Sequence, residues 1–283
     1  MSAVVPPVVT VSPAWLALRE PADAAARATD LVEKVRHLLP PSLPVVVHDL
    51  GCGTGSMARW LASQLSGPQH WVMYDRDADL LARAAVDVPP LTDDGSRVTV
   101  ETRQRDITRL HQQDLAGASL ITASALLDML TAAEVERIAR SSVEAGCPVL
   151  LTLSVTGRVA LTPSDPLDDA IASAFNAHQR RGEGDGRLLG PDAVGVAADV
   201  FAGLGAEVII APSPWRLGAS AAALTIEWFE GWVGAACEQR PELTAATRRY
   251  VEQRLAAAIA GRLQVIVHHH DLLAVPPQPP RDR

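Results

Sequence analysis

The sequence predicts an α/β protein with a mostly parallel sheet covered by helices on both faces. Three observations carry this prediction. Short apolar runs alternate with amphipathic stretches from about residue 45 to residue 154. The first apolar run, Val45-Val46-Val47, leads directly into His48-Asp49-Leu50-Gly51-Cys52-Gly53-Thr54-Gly55. Acids stand at the ends of the first three runs, as Asp49, Asp75 and Asp106. Strands that alternate with helices pair in parallel, because each crossover returns the chain to the same edge. In such sheets ligands bind outside the carboxyl ends of the strands, where these acids and Ser124 fall.

Taken in order, residues 1–13 read as extended, and 15–39 as two helical pieces with Pro21 as a helix start. Pro40-Pro41-Ser42-Leu43-Pro44 is a rigid connector. Then follow strand 45–50, helix 56–65, strand 70–74, helix 77–86, strand 97–102, a short helix near 108–115, strand 118–123, helix 131–144 and strand 148–154. Beyond them a short extra strand is expected at 155–161, and a helix at 165–181 with Leu167, Ile171, Ala174, Phe175 and His178 on one stripe. After a glycine-rich loop come helix 191–203, strand 206–210, the interruption Pro212-Ser213-Pro214-Trp215-Arg216, helices 219–238 and 241–260, and a last strand 263–269. Pro276-Pro277-Gln278-Pro279-Pro280 reads as a frayed tail.

The run from His48 to Gly55 is a strand, a tight turn and a helix start. Glycines there allow the turn and let a ligand approach the backbone. The free N–H groups of the helix start favour a polar ligand. Gly51-x-Gly53-x-Gly55 is not the dinucleotide spacing, but Gly53-x-Gly55-x-x-Ala58 also satisfies it. Asp75 lies 20 residues after Gly55 and serves a ribose in either case. Asp49 discriminates. A carboxylate beside the turn disfavours a diphosphate and favours the ammonium and sulfonium of S-adenosylmethionine.

At these residues the chain resembles the class I S-adenosylmethionine-dependent methyltransferases, the small-molecule type. His48 to Gly55 is similar to their first motif, Tyr74-Asp75-Arg76-Asp77 to the second-strand end, and Gln104-Arg105-Asp106-Ile107 to the third. The resemblance implies a Rossmann-like, doubly wound, mostly parallel seven-stranded sheet with added N-terminal and inserted cap helices. It implies that Asp49, Gly51, Cys52, Gly53, Gly55, Asp75, Arg76, Asp106, Ile107 and Ser124 bind S-adenosylmethionine. It covers residues 45–153 well and the rest loosely.

The domain expectation is an N-terminal extension, 1–44, and a methyltransferase domain, 45–283, with cap elements at about 160–190 and 215–260. Methyl transfer needs an acceptor atom aligned behind the C–S bond at roughly 3–3.5 Å, and a base where the acceptor carries a proton. His111, His178, His268, His269 and His270 are candidate bases, of which His178 is taken as catalytic. Asn176, Arg180 and Trp215 are taken as substrate-binding. Asp128 reads as solvent-facing or capping. No metal site is expected: His268-His269-His270 lie on a strand, whose neighbours point to opposite faces.

Composition narrows the partners. Hydrophobic residues make up 48% and charged ones 20%, so disorder is not expected over most of the chain. A net charge of −8 disfavours nucleic acid as a partner. Three scattered cysteines form neither a disulfide framework nor a metal motif. No signal peptide and no membrane span is read, so the chain is expected to be cytoplasmic. A homodimer is allowed for. The expected reaction is methyl transfer to oxygen or nitrogen of a small metabolite. The alternatives are an NAD-dependent oxidoreductase on a similar sheet, and a methyltransferase acting on RNA or protein.

Overall fold

The computed structural model describes residues 11–39, 44–183 and 186–277. The expected extended start (1–10), most of the proline connector (40–43), Gly184, Asp185 and the tail beyond 277 lie outside the described residues.

Ser12 caps the first helix, α1 (Pro13–Ala26), by accepting the Trp15 N–H at 3.0 Å, and Pro13 takes the first position, where no N–H is needed. Pro21 therefore sits inside α1 and starts no helix. The second piece, α2 (Thr29–Leu38), begins only after Arg27 and Ala28.

The alternating part follows as β1 (Val45–Leu50), α3 (Ser56–Ala62), β2 (Gln69–Asp75), α4 (Ala78–Asp87), β3 (Val98–Gln104), β4 (Leu120–Ser124), α5 (Ala132–Glu144) and β5 (Val149–Thr162). Two short 3-10 turns, Ile107–Arg109 and Gln112–Leu115, replace the expected helix near 108–115. Thr131 and Glu134 form a capping box that fixes the start of α5. Beyond β5 come α6 (Asp168–Gln179), a small hairpin of β6 (Gly182–Glu183) and β7 (Gly186–Arg187), α7 (Ala193–Gly203), β8 (Glu207–Pro212) and β9 (Trp215–Leu217). The chain ends with α8 (Ala222–Gln239), α9 (Thr244–Ile259) and β10 (Gln264–Val275).

The sheet runs β3-β2-β1-β4-β5-β10-β8, with β9 pairing β10 off that path. Strands β1 to β5 are parallel, and β10 is antiparallel to both β5 and β8. Residues 155–161 continue β5 instead of forming a separate strand. β10 likewise runs past residue 269, because Leu272-Leu273-Ala274 pair with Leu151-Leu150-Val149. The two long strands thus carry the sheet beyond the reach of β4. There Trp215, Leu217, Val265 and Val267 form an apolar surface against α1, α6, α8 and α9. The main sheet is packed between α5 and α7 on one face and α2, α3 and α4 on the other.

A bend separates the two halves of β5. Leu153 has φ of +57°, a conformation that is strained for a branched side chain. Its N–H donates to the buried carboxylate of Asp271 at 2.7 Å. The other oxygen of Asp271 accepts the Ala28 N–H at 2.8 Å, where α1 gives way to α2. One side chain therefore ties the N-terminal helices to the bend.

Among the described residues, no helix is long and apolar enough to cross a membrane, and no cluster of three or more His, Cys, Asp or Glu could hold a metal ion.

Candidate active site

The glycine turn lies at the carboxyl end of β1. Gly51, Gly53 and Gly55 have φ of +66°, +55° and +83°. Side chains at the first two would also crowd the turn: a Cβ on Gly51 would come within 3.1 Å of Leu126, and one on Gly53 within 3.2 Å of Leu16. Asp75 buttresses the turn from β2: its Oδ2 accepts the Gly53 N–H at 2.9 Å and its Oδ1 the Asp77 N–H at 3.0 Å. Cys52 is buried, and burial pushes its thiol well above the ordinary range, so it is no nucleophile.

Asp49 is 1% exposed. Its Oδ1 accepts from Thr122 Oγ1 at 2.8 Å, and its Oδ2 has no partner. Burial pushes its carboxyl up to about 7, against the Thr122 hydrogen bond and the Arg27 charge. Arg27 is equally buried. Its Nη2 donates to Ser124 Oγ at 3.1 Å and to Ser56 Oγ at 3.4 Å, while Nε and Nη1 have no partner. The guanidinium lies 5.1 Å from the Trp60 ring centroid. Burial lowers the pKa of Arg27, and the carboxylates of Asp23, Asp271 and Asp49 work against that shift.

Helix α1 closes this crevice. Leu16 lies against Gly53, and Glu20 binds Arg59 of α3 at 2.5 and 2.7 Å, while Arg59 also donates to the Thr54 carbonyl. Trp15, Arg19 and Asp23 recur every fourth residue and so share one face of the helix, and Arg27 follows as its C-cap. Arg19 donates to both oxygens of Asp23, at 2.9 and 3.2 Å, and Asp23 also accepts from Trp215 Nε1 at 2.9 Å.

A cavity of about 220 Å³ lies beside the crevice, starting at Ala125, the residue after Ser124. Its walls come from α1, the segment after β4, the bend of β5, α6, β9, α8 and β10. Of the helices in the stretches read as cap elements, α6 and α8 contribute lining residues and α9 contributes none. Asn176 and Trp215 line the cavity as the sequence suggested. His178 and Arg180 do not. His178 Nε2 meets Glu238 at 3.0 Å and accepts from Arg181. Arg180 donates twice to Asp192, at 2.6 Å each. His268 and His269 line the cavity, while His111 and His270 do not.

Four further residues read from the sequence have contacts of their own. Asp106 Oδ1 accepts from the Thr108 N–H and hydroxyl, at 3.0 and 2.7 Å, and its other oxygen pairs with Arg109 at 3.2 Å. It caps a 3-10 turn at the surface. Ile107 is buried in the core under the sheet. Arg76 offers its carbonyl to Gln104 Nε2 at 3.0 Å, next to Asp75. Asp128, read as solvent-facing, instead lines the cavity, where burial pushes its carboxyl up to about 6.

The β3-β2-β1-β4-β5-β10-β8 order, with its single antiparallel strand and a glycine turn after β1, is the fold of class I S-adenosylmethionine-dependent methyltransferases. Residues 47–145 match the family model described as a methyltransferase domain. Similar solved structures include a SAM-dependent methyltransferase from Geobacter sulfurreducens in complex with S-adenosyl-L-homocysteine. It is 15% identical, covers 94% of this chain and 99% of its own, and has a TM-score of 0.45. A cyclopropane synthase from Mycobacterium tuberculosis is 12% identical, with coverage of 93% and 94% and a TM-score of 0.48. A putative sarcosine dimethylglycine methyltransferase from Galdieria sulphuraria is 11% identical, with coverage of 88% and 83% and a TM-score of 0.44. Likeness at this level bears on neither substrate nor chemistry. No curated protein matches the chain.

Proposed function

We propose that the chain is an S-adenosylmethionine-dependent methyltransferase for a small-molecule acceptor. The observation that carries this reading is a buried guanidinium and a buried carboxyl beside the glycine turn, each only partly hydrogen-bonded. Arg27 keeps two N–H donors without acceptors, and Asp49 keeps one oxygen without a donor. A buried charged group left unpaired is costly. An amino-acid zwitterion supplies both missing partners, its carboxylate to Arg27 and its ammonium to Asp49. A diphosphate would satisfy Arg27 but place negative charge beside Asp49, which disfavours the NAD alternative. In this reading Asp75 takes the ribose hydroxyls on its remaining lone pairs, and Asn176 and Trp215 take the acceptor.

When bound, the cofactor supplies an electrophilic methyl group. The chain's own residues fix its amino-acid end, exclude water with α1 and hold the acceptor in the adjoining cavity. A soluble, cytoplasmic setting belongs to this proposal, as does a domain division in which α1 and α2 serve the site.

Calorimetry tests the reading with three ligands: S-adenosylhomocysteine, NAD, and methylthioadenosine, which keeps the nucleoside and lacks the amino-acid arm. S-adenosylhomocysteine should bind and NAD should not. Arg27→Ala should cost S-adenosylhomocysteine about 1.5–3 kcal/mol, the range for a hydrogen bond to a charged group, and leave methylthioadenosine unchanged. NAD binding without S-adenosylhomocysteine binding would reverse the choice.

A further inference from the structure

The cavity beside the crevice is unusual for this chain in what lines it. Four of the six tryptophans stand in its wall: Trp15, Trp215, Trp228 and Trp232, joined by Phe175. Trp228 and Trp232 lie nearly parallel, with ring centroids 5.3 Å apart and planes inclined by 18°. Such walls are broad, flat and apolar, and they favour stacking against a flat partner. The volume sets the size of that partner. A cavity near 150 Å³ holds benzene, so about 220 Å³ admits one substituted ring or two fused rings. A long acyl chain offers these walls no flat face to stack on.

Charge decides which functional group the ring carries. Two guanidiniums line the cavity against one carboxylate, Asp128. Arg19 lies 5.0 Å from the Trp215 centroid and is paired with Asp23. Exposed Arg158 stands in the wall beside it and has no ion-pair partner among the described residues. The two lining histidines are held neutral. Burial lowers both: His269 falls to about 3, with Arg19 next in effect, and His268 falls further through Arg158, Arg216 and His270. Asp23 offsets the charge of Arg19, so the cation left unpaired in the wall is Arg158, and a ring bearing an ammonium would enter against it. A phenol oxygen becomes negative as its proton leaves, and this cation would stabilise it in that form before bonding to the methyl carbon consumes the charge.

We propose, building on the methyltransferase reading above, that the acceptors are planar one- or two-ring phenols stacked among these tryptophans, with Asp128 receiving the hydroxyl proton. Asp128 follows β4 within four residues of Ser124, so it stands where the cavity meets the crevice. Gln179 Nε2 donates to its Oδ2 at 3.4 Å from α6. In the reaction, the phenol oxygen forms a bond to the methyl carbon while the carbon–sulfur electron pair leaves with sulfur. The hydroxyl proton passes to an Asp128 oxygen, and a methyl ether and S-adenosylhomocysteine result. Because burial raises Asp128 towards neutrality, it is a better proton acceptor than an exposed carboxylate.

The test titrates the full chain with 2-naphthol, its ammonium counterpart 2-(aminomethyl)naphthalene, and dodecanoate, each with and without S-adenosylhomocysteine. Binding is read by calorimetry and by quenching of tryptophan fluorescence. 2-Naphthol should bind at least tenfold more tightly than either competitor. Trp228→Leu and Phe175→Ala should each weaken it at least fivefold and leave S-adenosylhomocysteine affinity unchanged. Asp128→Asn should keep naphthol affinity within threefold but lower methyl ether formation at least a hundredfold, within the range for loss of a general base. Tighter binding of the ammonium or the acyl chain would overturn the acceptor class, as would intact S-adenosylhomocysteine binding with no naphthol binding. Full turnover by Asp128→Asn would overturn the proton's destination. Naphthol binding without S-adenosylhomocysteine binding would instead sink the methyltransferase reading, leaving a phenol-binding cavity and no role for Asp128.

Discussion

The glycine-turn crevice and the tryptophan-walled cavity meet at Ser124 and Ala125, yet they are built by opposite means. The crevice is mostly backbone and short side chains from β1, β2 and the segment between β1 and α3. Its key contacts join residues close in sequence or on adjacent strands, such as Gly53 to Asp75 and Asp49 to Thr122. The cavity is almost all side chain, drawn from residue 15 to residue 269. A backbone cradle suits a ligand that is the same in every member of a fold. The part of the wall that stands on α1, α6 and α8 can be rebuilt without disturbing the sheet, unlike the part on β5, β9 and β10. The division of labour therefore follows from which atoms do the binding.

Asp271 is the joint between the two regions, and removing it should give the largest effect. Its carboxylate accepts from Ala28, next to Arg27 on the crevice side, and from Leu153, which lines the cavity. Asp271→Ala leaves two buried N–H groups unpaired, at about 1–3 kcal/mol each. Part of that is offset, because burial raises the Asp271 pKa and its charged form is itself costly to bury. Denaturant unfolding should show a loss of a few kcal/mol, and the affinities for S-adenosylhomocysteine and 2-naphthol should fall together. Loss of one affinity alone would show that the two regions are not joined through this residue.

The same contrast explains what could be read from the sequence. The turn, its flanking strands and Asp75 are local patterns, and each was legible. The long strands were not. Ser154, Gly157 and Arg158 interrupt the apolar signal of β5, and His268-His269-His270-Asp271 do the same for β10. Buried Asp271 looks like a strand end because its partners, the N–H groups of Ala28 and Leu153, lie 243 and 118 residues away. Asp128 reads as solvent-facing or capping for a related reason: nothing local reveals that Gln179 of α6 meets it beside the cavity. One unused signal leads up to Arg27, the stripe Trp15, Arg19, Asp23 on the helix that Arg27 ends. Charged residues recurring with a tryptophan on one helical face mark a face turned toward polar partners in the interior. His178 and Arg180 were placed at the site because they end a cap helix, but Glu238 and Asp192 supply nearer partners.

A second test bears on the crevice alone. Asp49 has a carboxyl near 7 in the folded chain, against about 3.9 for a free aspartate. Between those values the folded state holds a proton that the unfolded state has lost. Asp49 therefore makes stability fall as pH rises from about 4 to about 7, with no further loss above. Binding an ammonium has the opposite dependence, since it requires the carboxylate. Arg27, Asp75 and Thr122 surround the group and are present in both states. S-adenosylhomocysteine affinity should rise about tenfold per pH unit up to 7, or about 1.4 kcal/mol per unit, and then level off. Methylthioadenosine, with no ammonium, should show no such slope. Asp49→Asn should flatten it for S-adenosylhomocysteine, and a slope that survived in that variant would belong to another group.

The smallest effect should come from a residue that the sequence placed in the acceptor site and the structure places outside it. Arg180 and Asp192 hold each other through two short contacts, and Arg180 keeps the Asp192 carboxyl below its ordinary range. The side chains remain 27% and 55% exposed, so solvent screens the pair and long side chains lose freedom in making it. Arg180→Ala should therefore cost about 0–1 kcal/mol in denaturant unfolding, far less than Asp271→Ala, although its contacts are no longer than those of Asp271. It should leave 2-naphthol affinity unchanged, because no Arg180 atom lines the cavity. A tenfold loss of that affinity would bring Arg180 into the wall and erase the boundary drawn here between cavity and surface. The comparison of these two variants isolates burial from hydrogen-bond length: similar distances, opposite exposure and an expected difference of a few kcal/mol.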